Sequence, residues 1–187
     1  LFEESFIKVI PSKPLHIGVV SSPSGAVFQD IRNILERRAP LSKVTLSPSL
    51  VQGEKADDQI IKALEMLTTF NESYKIDLII IARGGGSLED LWCFNSEKLA
   101  RKIYSLEIPI ISAIGHETDF TICDLVSDLR APTPSSAAEI ISQEHSNFFD
   151  RLIDLKRNGL FSLQKNFSNK KNFLKQNLNI FNKVDLN

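Results

Sequence analysis

Short runs of apolar residues punctuate the first part of the chain: His16–Val20, Val44–Leu46 with its flanks, Leu78–Ala82 and Ile110–Ile114. Within runs such as LIIIA, consecutive positions are apolar and do not alternate with polar ones. A strand of that kind is buried on both faces, as in a parallel sheet covered by helices. Between the runs the spacing turns helical. Ala26–Arg38 carries Val27, Ile31, Ile34 and Leu35 on one face, Asp57–Phe70 carries Ile60, Ile61, Leu64 and Leu67, and Ser96–Leu106 carries Leu99 and Ile103. Strand and helix alternate, which predicts an α/β domain with a parallel sheet flanked by helices and right-handed crossovers.

After RAPTP, residues 130–134, the pattern changes. Apolar residues recur at Phe148, Leu152, Leu155, Leu160, Leu163, Phe167, Leu174, Leu178 and Phe181, mostly three, four or seven apart. The spacing predicts a long amphipathic C-terminal helix, with Gly159 the place where an interruption is expected. Two domains follow: an α/β domain over 1–139 and a long helix or coiled-coil segment over 140–187. Such a helix needs a partner for its apolar stripe, either the domain itself or another chain.

Composition changes little in this picture. With 187 residues, 42% of them hydrophobic, the chain can bury one sizeable core. The formal net charge of -1 gives no overall basic signature of nucleic-acid binding. The distribution says more: residues 140–187 hold eight Lys/Arg against four Asp/Glu, and the preceding residues hold fourteen against nineteen. Cys93 and Cys123 lack a CxxC spacing and read as plain thiols of a reducing, cytoplasmic compartment. No apolar run reaches the roughly 18 to 20 residues that span a bilayer, so no membrane association is expected. The chain begins without methionine in sequence that reads as mid-domain, and a fragment of a longer protein is expected.

In a parallel α/β sheet, ligands bind beyond the carboxyl ends of the strands, which singles out three loops. The first, SSPSG at 21–25, puts hydroxyls and a glycine where a helix begins; its N–H groups and dipole suit a phosphate near Ser22, Ser24 and Gly25. An ordinary capped turn would look the same. Asp30 follows one turn into that helix. The second loop, ARGGGSLEDLW at 82–92, joins a guanidinium fork on Arg83 to Gly84, Gly85, Gly86 and Ser87, a backbone that can approach a phosphate closely. It has neither the Walker A lysine nor the dinucleotide fingerprint, so ATP and NAD lose support. The third loop, IGHETDFT at 114–121, gathers His116, Glu117 and Asp119, with Asp124 and Asp128 following, as candidates for acid–base work or metal ligation. It is not a zinc HExxH motif, because position 120 is Phe. His16 and His145 read as structural.

Taken together, IGVVSSPSGAVFQDI, IIIARGGGSLEDLWCFN and ISAIGHETDFTICDLVSDLRAPTPSSAAE resemble the signature blocks of the exodeoxyribonuclease VII large-subunit family, in order over residues 14–140. The resemblance implies a metal-independent nuclease, with Mg2+ the alternative to test, that trims single-stranded DNA from both ends to oligonucleotides with 5′-phosphates. It implies an amino-terminal OB-fold, expected to lie outside this chain, and a helical carboxyl-terminal region that binds the small subunit. Matched motif to motif, the catalytic set falls on Asp30, Arg83, His116 and Asp119. Cys93 stands where relatives often have Pro. Two further readings stay open on the residues alone: a metal-dependent phosphohydrolase using His116, Glu117 and Asp119, and a scaffold that recognises phosphate without cutting it. The twelve Phe, two Tyr and one Trp read mostly as core, so the stacking grip on a single strand is expected elsewhere.

Overall fold

The structure, a computed structural model, describes residues 7–85, 88–115 and 118–184. The chain divides into two units, Leu1–Ser146 and Asn147–Asn187. In the first, strands and helices follow in the order β1 (His16–Ser21), α1 (Ala26–Arg38), β2 (Lys43–Pro48), α2 (Ala56–Asn71), β3 (Leu78–Ala82), a 3-10 segment (Leu88–Asn95), α3 (Glu97–Ser105), β4 (Ile110–Ala113), α4 (Ile122–Val126) and β5 (Leu129–Arg130). A final helix, α5 (Pro134–Val184), begins in this unit and supplies the helical residues of the second.

The five strands lie in the order β2-β1-β3-β4-β5, and every pairing is parallel. The α/β class expected from the apolar runs is the observed one. Because the chain moves outward from β1 to β2 and then crosses back to β3, right-handed crossovers require α1 and α2 on opposite faces. The core divides accordingly. Ile17, Val19, Leu78, Ile80, Ile111 and Ala113 point to the face covered by Ile31 and Leu35 of α1 and by Ala137, Ala138 and Ile141 of α5. Val20, Ile79, Ile81 and Ile110 point the other way, to Ile60, Leu64 and Leu67 of α2 and Leu99 and Ile103 of α3. The period-two alternation of a strand is hidden in the sequence because both faces are dry.

β5 escapes the pattern reading because it has only two residues. The start of α5 is built as a helix start should be. Pro134 occupies the first helical position, and the Thr133 hydroxyl accepts a hydrogen bond from the Ser136 N–H at 3.0 Å. His145, buried within the first unit, lies with Nε2 3.2 Å from the Pro14 carbonyl oxygen. His16 bridges the Thr45 hydroxyl at 2.8 Å and the Lys75 carbonyl at 3.0 Å. Both histidines hold strand-start segments in place, as the sequence suggests.

The helix runs through Gly159 without the expected interruption. One interior glycine costs about 1 kcal/mol relative to alanine, too little to break a long helix that flanks it with Lys156, Arg157 and Leu160 and no proline. In the second unit, taken alone, Leu152, Leu155, Leu160, Leu163, Phe167, Leu174 and Leu178 are all exposed. Among the described residues, no helix is long and apolar enough to cross a membrane.

Candidate active site

Parallel strands put all the loops that follow them on one edge of the sheet, and the reversal of direction after β2 leaves a crevice between the ends of β1 and β3. A cavity of about 720 Å³ lies there. Its walls come from Ser21, Ser22, Ser24 and Gly25 after β1, Ala26, Val27 and Asp30 of α1, Leu50, Val51 and Gln52 after β2, Arg83, Gly84 and Gly85 after β3, and Thr133, Pro134 and Ser135 before and at the start of α5. The first two candidate loops and Asp30 thus line one space. Gly86 and Ser87 lie outside the described residues.

Each wall has a local reason. Gly25 is the residue before α1, and among the described residues no side chain caps that helix, so its first-turn N–H groups face the cavity as donors for an anion. Ser22 and Ser24 hydroxyls sit 3.2 Å apart beside them. Arg83 is 3% exposed, and its guanidinium donates to the Asp90 carboxylate at 3.1 Å. That pairing aims a permanently charged fork from the sheet edge and fixes its direction. A Cβ added to Gly84 would stand 2.9 Å from a Val27 methyl, so the glycine lets the β3 loop close onto α1. The start of α5 adds a second helix N-terminus, at Thr133–Ser135. Among the described residues the cavity therefore combines one buried guanidinium, paired with Asp90, and two helix N-termini with one exposed carboxylate, Asp30. That balance favours an oxyanion and leaves a group beside it able to take or orient a proton.

Sequence reading did not include Thr133, Pro134, Ser135 or Gln52. The Thr-Pro-Ser start of α5 was legible as a helix beginning. What was missing was β5, whose carboxyl end delivers that helix to the rim.

The third loop follows β4, which sits between β3 and β5. His116 and Glu117 lie outside the described residues. Asp119 belongs to this loop but is not among the described residues lining the cavity; its carbonyl accepts a hydrogen bond from Arg130 at 3.3 Å. A Cβ on Gly115 would meet the Asp119 carbonyl oxygen at 2.6 Å, so the turn closes too tightly for a side chain there.

Two acids grouped with this loop by sequence belong to the framework instead. Asp124 is buried and accepts from the Thr121 N–H and hydroxyl, both at 2.8 Å, and from the Ser112 hydroxyl, forming a capping box for α4. Asp128 accepts from the N–H of Ile110, the first residue of β4, and from Lys8, which puts it at the amino end of the sheet, away from the rim. Among the described residues no group of three or more His, Cys, Asp or Glu is arranged to hold a metal. Burial, followed by the Asp57 carboxylate, pushes the Cys93 thiol up to about 11, and burial raises Cys123 as well, so neither is a ready nucleophile.

The fold and the cavity define a doubly wound α/β protein with a crevice at its topological switch point. The chain belongs to the exonuclease VII large-subunit family, whose sequence model, described as "Exonuclease VII, large subunit", matches residues 1–184. It is similar to the protein named exodeoxyribonuclease 7 large subunit from Ruminiclostridium cellulolyticum, with 57% identity over 140 residues, 75% of this chain and 34% of that one. The protein of the same name from Clostridium kluyveri is 47% identical over 185 residues, 97% of this chain and 46% of that one. That from Histophilus somni is 44% identical over 176 residues, 94% of this chain and 39% of that one. The chain spans less than half the length of these curated relatives.

Proposed function

We propose that this chain carries the catalytic domain of an exodeoxyribonuclease that hydrolyses phosphodiester bonds of single-stranded DNA from both ends to oligonucleotides bearing 5′-phosphates. One observation carries the reading: the buried Arg83, oriented by Asp90, opens onto the same cavity as the uncapped start of α1 and Asp30. Phosphodiester hydrolysis builds negative charge on the phosphate oxygens, and preorganised donors stabilise that charge most in the transition state. Arg83 and the α1 N–H groups, with Ser22 and Ser24, hold the scissile phosphate. His116 transfers protons to and from the attacking and leaving oxygens, with Asp30 or Asp119 orienting it.

The reaction needs no metal on this reading, because the guanidinium and the helix termini supply the positive charge. The small subunit of the exonuclease binds along the exposed apolar residues of the second unit, and the complex works in the cytoplasm. The relatives' shared name, exodeoxyribonuclease 7 large subunit, supports a two-subunit enzyme.

The test is digestion of end-labelled single-stranded DNA by the complex with the small subunit, in EDTA. Short products are expected from the wild type, with cleavage abolished in Arg83→Ala and His116→Ala when each variant is assayed well below its own melting temperature. Full activity in either variant overturns the assignment. Activity that disappears in EDTA and returns with Mg2+ overturns the metal-free chemistry, and no cleavage under any condition leaves only a phosphate-recognising scaffold.

A further inference from the structure

A second cavity, of about 540 Å³, opens on the same edge of the sheet on the α2–α3 side, and Trp92 stands in its lining with 77% of its surface exposed. We propose that this cavity is a nucleobase subsite, in which Trp92 stacks one base of the strand whose phosphate lies beside Arg83. The proposal rests on the nuclease reading above and names the part of the substrate that the phosphate cavity does not hold.

The two cavities are lined by neighbouring residues. Gln52 lines the first and Gly53 the second; Arg83 lines the first, while Asp90, its partner at 3.1 Å, lines the second. Gly53, with φ +95°, turns the chain at this boundary in a conformation that side chains resist. A base hangs from the same sugar as its phosphate, so a strand that docks a phosphate at Arg83 carries a base into the adjoining space.

The chemistry of the second cavity suits a base and opposes a phosphate. Glu54, Asp57, Glu89 and Asp90 give it a carboxylate lining, in which Asp90 is paired with Arg83 at 3.1 Å and Asp57 with Lys98 at 3.0 Å. Burial raises the Asp57 carboxyl, but hydrogen bonds from Lys98, Ser96 and the Asp58 N–H outweigh it and hold the group below its ordinary value. Ionised carboxylates repel phosphate and accept hydrogen bonds from the exocyclic amino groups of bases. Cytosine, adenine and guanine carry such a group, and thymine does not.

Trp92 is also held as a platform. Its neighbours in the 3-10 segment, Leu91 and Phe94, are 4% and 0% exposed and anchor that segment in the core under α3. The ring is therefore presented to solvent by a rigid element. A large aromatic left in water on a fixed backbone beside an anion site is the arrangement single-strand binders use; with Tyr74, Phe120, Phe161, Phe167 and Phe173 exposed as well, the expectation that the aromatic residues lie mostly in the core is corrected.

The chain holds a single tryptophan, so its emission reports this site alone. The experiment titrates the chain with a phosphorothioate-linked deoxycytidine pentamer, a thymidine pentamer and an abasic pentamer of equal charge, following emission and, with end-labelled strands, anisotropy. The expected result is quenching by the cytidine strand, less by the thymidine strand and none by the abasic strand. Trp92→Ala should weaken the cytidine strand about 5- to 150-fold without changing the abasic strand, and Trp92→Phe should recover most of the loss. Equal affinity for all three strands with unchanged emission overturns the base subsite and leaves the phosphate reading standing. Binding of no strand, in wild type or variants, overturns both.

Discussion

Replacing Asp124 with alanine separates a framework carboxylate from a catalytic one. Asp124 is 6% exposed and accepts from three donors: the Thr121 N–H, the Thr121 hydroxyl and the Ser112 hydroxyl. Hydrogen bonds to a charged acceptor contribute about 1.5–3 kcal/mol each. The two hydroxyls can turn toward other acceptors, but the Thr121 N–H cannot, and α4 loses half of its capping box. The net cost is therefore about 2–4 kcal/mol, less than the sum of three bonds. For a chain of this length each kcal/mol lowers the melting temperature by about 2–4 °C, so Asp124→Ala should melt roughly 5–15 °C lower. Asp124→Asn, which keeps one acceptor oxygen, should fall between. Circular dichroism melts in parallel with single-strand cleavage at 20 °C below the variant's own midpoint provide the assay. A variant that melts within a degree or two of wild type yet has lost cleavage would refute the reasoning, because the carboxylate would then be acting on substrate.

Two other outcomes follow from the geometry. Gly115→Ala forces the new Cβ against the Asp119 carbonyl, 2.6 Å away, and displaces the loop after β4; a shift near 1 Å in a catalytic loop costs about 100-fold in rate. Steady-state cleavage should show that loss with the melting temperature nearly unchanged, and full activity would count against a catalytic role for this loop. At pH 8 a thiol raised to about 11 is only about one part in a thousand thiolate, so Cys93 should react with iodoacetamide far more slowly than free cysteine, and cleavage should survive the reagent. The reaction should quicken as pH rises toward 11, since deprotonation supplies the thiolate; rapid labelling at pH 7 with loss of activity would contradict it.

Much of the architecture was legible because burial on both faces leaves a signature along the chain: the short, isoleucine-rich run LIIIA suits a two-sided strand, and segments of period 3.6 between such runs suit the helices that cover it. The carboxyl-end rule then selected the Ser-rich loop and the Arg-Gly loop, and the structure brings Ser22, Ser24, Gly25, Asp30, Arg83, Gly84 and Gly85 around one cavity. Strand order was not legible, because nothing local distinguishes a strand placed left of β1 from one placed right of it. That order decides where the crevice falls, and with the two-residue β5 it decides that the start of α5 forms one of its walls. Tertiary packing alone also sorted the acids: Asp30 stands at the rim, Asp124 lies under it as a cap, and Asp128 sits at the far end of the sheet. Sequence determines which residue types a segment can expose or bury, since that depends on neighbours along the chain. Convergence of distant side chains on one space depends on the order and direction of strands, which is settled only when the whole sheet forms.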